Sequence, residues 1–294
     1  MKKRMLLLLG IIFSLSFLET NACKTALDPL EDPPDESLEK FKELADFANW
    51  PGKNGLIREG VNLNKYSIPS LSDASITSKG SPFYYQEAED GVPALIHHTV
   101  HWEKIKGDFL VVDLYIAESC DVIHEYAIQR FFYSSMPFEL RVPKKDDPPI
   151  AGEISFSGGR RFIRNNIFVE ISPHGEMLNR IAAVAKDIDN LLLARPTASS
   201  AEEFKPMIQR FEIANSLVES NTTTKLFLEV SDPKGSELYY FWRVTAGGIG
   251  KNEYGEWYYD SSWVDPGTTQ TITVVVINDR GYYRSSSIDI KIKQ

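Results

Sequence analysis

The sequence predicts two folded parts of different class: an α+β domain over 37–196, an antiparallel sheet with helices on one face, and an all-β two-sheet sandwich over 206–294. Three observations carry this. Between 37 and 196, segments alternating apolar and polar residues at a period of two are joined by short Gly turns and separated by stretches with helical apolar spacing. Beyond 205 the helical spacing disappears, and short alternating segments follow one another with turn residues between them. Trp242 falls on the apolar side of one of those segments, where it can anchor a core between two sheets.

The N-terminus reads as an export signal. Lys2, Lys3 and Arg4 form a positive start, Met5 to Phe17 is an apolar run short of a comfortable membrane span, and Thr20-Asn21-Ala22 offers small residues for cleavage. Cys23 follows at once. A cysteine there resembles the lipobox of bacterial lipoproteins, although Thr20 stands where the lipobox usually has Leu; the resemblance implies acylation of Cys23 and a lipid anchor. A disulfide to Cys120, the only other cysteine, is the competing fate in an oxidising compartment. Residues 23–36, acidic and rich in proline, are expected to be a tether.

Hydrophobic content of 43% with 25% charged residues excludes a disordered chain. The net charge is −9, and removal of 1–22, with Lys2, Lys3, Arg4 and Glu19, leaves −11. Such an acidic body argues against nucleic acid and anionic lipid as partners, because phosphate neutralisation needs clustered cations.

In the first domain, Ser37 to Trp50 has a helical stripe of Leu38, Phe41, Leu44, Ala45 and Ala48, stopped by Pro51-Gly52. Ala94–Lys104 and Asp108–Ala117 form a hairpin about Lys106-Gly107. A helix follows from Cys120 to about Ser134, its buried stripe drawn from Val122, Ile123, Tyr126, Ala127 and Phe131, with His124 on its polar side. Gly152–Phe156 and Arg161–Ser172 make a second hairpin across Ser157-Gly158-Gly159, and Glu176–Arg195 is the clearest helix. The tract from Gly158 to Ser172 with its following helix resembles an uncharacterised class of exported bacterial proteins, over about 90–196. That class implies no activity.

After the linker 197–205, the strands expected are Ile208–Ala214, Leu226–Val230, Leu238–Val244, Thr271–Ile277 and Ser286–Ile292. Lys225 to Val244 reads as two strands folded back on one another through Asp232-Pro233-Lys234-Gly235. Val230-Ser231-Asp232-Pro233-x-Gly235, Tyr240-x-Trp242-x-Val244 and Ile272-x-Val274-x-Val276-x-Asn278-x-x-Gly281 together resemble PKD and related bacterial immunoglobulin-like domains, over about 206–294. Lys234 and Asn278 stand where that family often has Asp, which removes carboxylates a calcium ion would need.

No HExxH, CxxC, Gly-x-Ser-x-Gly or phosphate-loop spacing occurs, so no catalytic residue, metal or cofactor is assigned. His97 and His101 share a strand face but stand roughly 13 Å apart at strand rise, too far for one metal ion. Two ligand surfaces are predicted instead. Tyr239 and Phe241 point outward beside Val275 and Ile277, and with Trp257, Tyr258 and Trp263 of the 247–267 insert they form a candidate aromatic platform for a glycan or protein. Arg160 and Arg164, beside Gly158-Gly159, are a candidate anion cradle. The expected function is a non-catalytic exported envelope protein that binds or scaffolds a protein or glycan partner. The alternatives are an envelope enzyme or accessory subunit with its site in the first domain, or a binding protein for an anionic solute.

Overall fold

The computed structural model describes residues 35–79, 83–85, 95–135 and 144–293. The signal segment, Cys23 and the tether up to residue 34 lie outside the described residues. No helix among the described residues is long and apolar enough to cross a membrane. The chain is mostly strand, in several largely antiparallel sheets with few helices. The described residues divide into two compact units, one of 35–48 with 129–135, the other of 49–128 with 144–293.

In the first unit, helix α1 (Asp35–Leu44) buries Phe41, whose ring meets Phe132 edge-on at 5.4 Å. The helix expected to reach Trp50 stops early, because Asp46 adopts φ 52° and Phe47–Asn49 form only a 3-10 turn. Leu44, assigned to the buried stripe, is exposed.

The second unit opens with β1 (Ile57–Arg58), β2 (Ser75–Lys79), β3 (Phe83–Tyr85), β4 (Leu95–Ile105) and β5 (Asp108–Ile116). β4 and β5 are the expected hairpin, with Gly107 at φ 95° in its turn. Helix α2 (Cys120–Ser135) begins where Ser119 Oγ accepts from the Val122 amide at 3.2 Å. β6 (Ile154–Phe156), β7 (Arg161–Arg164) and β8 (Ile167–Pro173) complete a seven-stranded sheet ordered β2-β4-β5-β8-β7-β6, with β3 also paired to β4. The single strand expected from Arg161 to Ser172 is therefore two. Asn165 takes φ 54° and the chain doubles back, a conformation asparagine tolerates better than most residues.

A 3-10 segment (Gly175–Arg180) leads into helix α3 (Ile181–Leu193). The expected helix from Glu176 is thus regular only in its later part, and Leu178 is exposed while Met177, Ile181, Val184, Ala185, Ile188 and Leu192 are buried. Val184, Ala185 and Ile188 pack with Leu110, Val112, Leu114 and Ile171. Tyr126 of α2 instead meets Tyr115 at 4.8 Å and Phe168 at 6.2 Å, residues of opposite parity on β5 and β8. The two helices cover opposite faces of the sheet, contrary to the one-face expectation. Ile167 to Ile171 of β8 are accordingly buried without a break.

The rest of the chain contributes β9 (Thr197–Ala198), which pairs with β1, then β10 (Met207–Ile213), β11 (Leu217–Val218), β12 (Thr223–Ser231), β13 (Leu238–Val244), β14 (Gly248–Lys251), β15 (Trp257–Asp260), β16 (Thr269–Asn278) and β17 (Tyr283–Ile292). These form two four-stranded sheets, β10-β12-β15-β14 and β11-β17-β16-β13. Leu226 and Tyr259 of the first sheet share a buried cluster with Val218, Ile272, Ile290 and Ile292 of the second. The predicted hairpin from Lys225 to Val244 is not formed: β12 pairs with β10 and β15, β13 with β16. Its turn residues act as expected, Asp232 Oδ1 accepting from the amides of Lys234 and Ser236 at 2.9 and 3.1 Å, yet the turn carries the chain from one sheet to the other.

The outer side of β16 is buried too, with Val275 and Ile277 in the same cluster as Leu110 and Ile116. The turn after β16 sits against that first sheet so closely that a Cβ on Gly281 would lie 2.3 Å from Ile116 Cδ1, and one on Gly60 2.0 Å from the Arg280 carbonyl oxygen. Asn166 donates to the Tyr282 hydroxyl at 3.0 Å, and that hydroxyl donates to the Arg58 carbonyl.

Candidate functional site

The outward face of β12 and β15 holds an open cleft of about 350 Å³, continued by the β14–β15 turn. Its floor follows from strand register: Thr223 lies opposite Asp260 and Lys225 opposite Tyr258, while Tyr259 turns inward and is fully buried. Gly250 lies opposite Tyr258, and a Cβ there would come within 2.5 Å of the phenol ring. The ring therefore lies across the bare backbone of β14, fixed by the missing side chain. Trp257 borders the cleft while packing on Trp242, ring centres 4.9 Å apart, and carries the Lys251 ammonium 4.2 Å above it.

The polar groups are ordered around these rings. Lys225 Nζ donates to Glu256 Oε1 at 2.5 Å and Asn252 Nδ2 to Oε2 at 3.0 Å; these bonds, Lys225 first, hold the Glu256 carboxyl below its usual range. Asn252 Oδ1 in turn accepts from the amides of Tyr254 and Glu256. Asp260 Oδ1 accepts from the Ser262 hydroxyl at 2.6 Å and amide at 2.9 Å, which lowers its pKa. Among the described residues nothing partners Asp260 Oδ2 or the hydroxyls of Thr223 and Tyr258, and Thr224, at 6% exposure, has a buried hydroxyl oxygen without a hydrogen bond. One cation and two carboxylates line the cleft, and the Lys251 ammonium over Trp257 offsets the second carboxylate.

The predicted platform is dispersed. Tyr258 and Trp257 meet in the cleft, and Trp263 stands fully in solvent beyond it at 96% exposure. Phe241 packs instead against the cluster that contains Val275 and Ile277, so the outward strip expected on β13 and β16 is covered by the first sheet. Tyr239, beside Ile277 in the register, is half-buried, and burial pushes its phenol up to about 12.

The predicted anion cradle is already filled from within. The amides of Gly158 and Gly159 donate to Asp146 at 3.0 Å each, and Ser155 Oγ donates to the same carboxylate at 2.8 Å. Arg164 is bound to Asp189 through two bonds of 2.7 and 2.6 Å and to Glu153 at 3.2 Å. Arg160 is exposed. No site for an outside anion is left between them.

The histidines also have internal roles. His97 Nε2 lies 2.8 Å from Asp113 and its ring stacks on Tyr115. His98 points the other way and is buried; burial, with His97 adding to it, lowers its pKa to about 4. His124, expected on a polar face, is 1% exposed, its nitrogens facing the carbonyls of Cys120 and Pro51 at 2.6 and 2.9 Å. A helical wheel gave no sign of this, because both acceptors are backbone. Cys120 is a free thiol that burial pushes up to about 11, which makes it a poor nucleophile. Among the described residues no group of three or more His, Cys, Asp and Glu side chains is placed to hold a metal ion.

A second hollow, of about 510 Å³, lies where the 278–281 turn meets Glu59. Glu59 is 1% exposed and takes bonds from Arg195 at 2.5 Å, Arg280 at 2.7 Å and Lys234 at 3.1 Å. Burial opposes its ionisation, but Lys234, Arg195 and Arg280 outweigh that and hold the carboxyl below its usual range. Asp232 pairs with Arg280 at 2.6 Å, and Lys65 with Asp279. Sequence spacing could not reveal this network, since its members come from positions 59 to 280.

No protein-family model matches the chain, and no curated protein matches it. Partly similar solved structures include the titin M3 domain, with 15% identity and a TM-score of 0.24 over 31% of this chain and 99% of that one. A nucleoside hydrolase-related hypothetical protein from Saccharophagus degradans, associated with carbohydrate metabolism, gives 15% and 0.27 over 43% of this chain and 35% of that one. A SusE-like surface located polysaccharide binding protein from the Bacteroides thetaiotaomicron heparin utilisation locus gives 9% and 0.22 over 81% of this chain and 38% of that one. Likenesses this low assign neither family nor function.

Proposed function

We propose that this is a non-catalytic, exported binding protein of the cell envelope that holds an uncharged glycan in the cleft between β12, β15 and the β14–β15 turn. The observation that carries it is the joining of a fixed Tyr258 ring to polar groups with spare hydrogen-bonding capacity, Asp260 Oδ2 and the hydroxyls of Thr223 and Tyr258. A sugar ring presents an apolar C–H face to an aromatic ring and hydroxyls to carboxylates at its rim. With its two carboxylates offset by Lys225 and Lys251, the cleft holds no surplus cation for a uronic or sulfated sugar, and the acidic chain favours neutral ones.

The fold fits a presenting role. The strand order β10-β12-β15-β14 against β13-β16-β17, with Trp242 on the third strand of the sandwich, follows the immunoglobulin-like arrangement of four strands facing three, and β11 adds a short parallel edge. The α+β body packed behind β16 then serves as its base. The apolar leader and Cys23 support export and a lipid anchor. Calorimetric titration of the full chain with cellohexaose, maltohexaose and chitohexaose tests the binding reading. Heat of binding from one series, lost in Tyr258→Ala, is expected; silence from all three at millimolar sugar sinks the reading.

A further inference from the structure

β12 and β15 floor the cleft, and both leave it at the same end. Past the Thr223–Asp260 pair the chains stay joined, the Ser261 amide donating to the Thr222 carbonyl at 2.9 Å and the Thr222 amide to Ser261 Oγ at 3.0 Å. Just beyond stands Trp263, 96% exposed. It does not ride on a loose loop. Ser261 is fully buried and Val264 is 3% exposed, and the Val264 amide and carbonyl are bonded to Ser261 and Ser220. Trp263 holds φ 66°, its amide donating to Asn221 Oδ1, and Asn221 itself holds φ 58°. Asp260, whose other oxygen faces the cleft without a partner, caps Ser262 through its amide and hydroxyl. One carboxylate thus belongs to both the cleft and the turn.

An indole projected into water from a rigid turn, in a left-handed backbone that suits glycine, does nothing for the stability of the chain itself. We infer that Trp263 is a second aromatic subsite, and that the cleft takes a chain of sugar rings running from Tyr258 past Asp260 onto the Trp263 indole. The two residues are five positions apart, so no more than about 17 Å separates them, which limits the bridged stretch to a few linked rings. This inference rests on the neutral-glycan reading of the cleft.

The test compares each hexasaccharide with its disaccharide (cellobiose, maltose, chitobiose) by calorimetry, on the wild-type chain, Trp263→Ala and Tyr258→Ala. In the series that binds, wild type is expected to hold the hexasaccharide about tenfold more tightly than the disaccharide. Trp263→Ala removes that gain, leaves disaccharide affinity unchanged and keeps the wild-type melting temperature. Tyr258→Ala weakens both lengths. Hexasaccharide affinity unaltered by Trp263→Ala overturns the subsite and leaves the cleft standing. Equal weakening of both lengths overturns it too, since the indole then acts on the first ring. If no series binds wild type, the cleft reading has failed and this inference with it.

Discussion

Asn278 Nδ2 donates to Asp232 Oδ2 at 2.9 Å, tying the turn after β12 to the end of β16. The same amide group donates to the Phe204 carbonyl at 2.7 Å, while its Oδ1 accepts from the Tyr282 amide at 3.0 Å. Arg280, two residues on, donates to Asp232 Oδ1 and to Glu59. The two motifs that suggested a calcium-binding relative are thus each other's partners. Position 278 needs a side chain that donates two hydrogens, which asparagine supplies and aspartate does not.

Asn278→Asp should therefore be far from conservative. It removes both donors and sets a second carboxylate against Asp232 where neither is reached by water, at a cost of about 3–5 kcal/mol. Urea unfolding should show the midpoint falling with the slope unchanged. A shift under about 0.5 kcal/mol would mean that the bond is incidental.

Glu59→Gln removes the anion on which Arg195, Lys234 and Arg280 converge. Arg280 keeps Asp232 as a counter-charge, and Arg195 and Lys234 reach water, so the loss should be about 1–3 kcal/mol. Because the folded pKa of Glu59 lies below its ordinary 4.5, its contribution is fully present above that pH and is lost as pH falls through the folded value. Wild type should lose this stability only below about pH 4.5, and the variant should lack that part of the acid limb.

His98 acts in a different window. Its folded pKa of about 4 lies below the ordinary 6.5, so between these values the unfolded chain binds the extra proton and stability falls as pH drops. His97 adds to the depression, and Asp279 opposes it. His98→Gln should flatten the stability profile between about pH 6.5 and 4 while leaving the steeper fall below 4.5. Melting temperatures across pH 4–7 distinguish the two, and a variant parallel to wild type would clear His98 of the effect.

Asp146 and Arg164 separate an internal anion from a ligand site. Asp146→Ala exposes the Gly158 and Gly159 amides, so the variant should be destabilised by about 1–3 kcal/mol and regain part of it in sulfate, beyond the general salt effect on wild type. Arg164→Ala should also destabilise, leaving Asp189 and Glu153 without their cation, and Arg160→Ala should change stability little. Neither arginine variant should alter glycan binding in the calorimeter.

The parts of this fold readable from sequence are those decided by neighbours along the chain. Leu110, Val112, Leu114 and Ile116 alternate, and Gly107 lies between two such runs, so β4 and β5 follow. Asp232 to Gly235 looks the same whether the chain returns beside its own strand or crosses to the facing sheet, since the hydrogen bonds inside the turn are identical. Its destination depends on β10 and β15 competing for β12, which no local pattern reports. Val275 and Ile277 gave a true sign of an apolar outer face, but its occupant was the sheet 160 positions earlier in the chain. At the site, Trp257 and Tyr258 were findable as aromatics. The role of Gly250 beneath Tyr258 needed the register.

Gly250 gives the last prediction. The Tyr258 ring occupies the space a Cβ would take, 2.5 Å from Cζ and the hydroxyl oxygen, so Gly250→Ala must tilt the ring away from β14. Gly250 has no positive φ, and alanine suits its backbone, so the sheet should survive with a change in stability within about 1 kcal/mol. The displaced phenol no longer rests over the β14 backbone at the cleft floor, and affinity for the hexasaccharide should fall about tenfold, approaching that of Tyr258→Ala. Combining the two substitutions separates position from presence: with the ring gone, Gly250→Ala should cost nothing further. An additive loss in the double variant would place the effect in the backbone of β14 and remove Tyr258 from the cleft's chemistry.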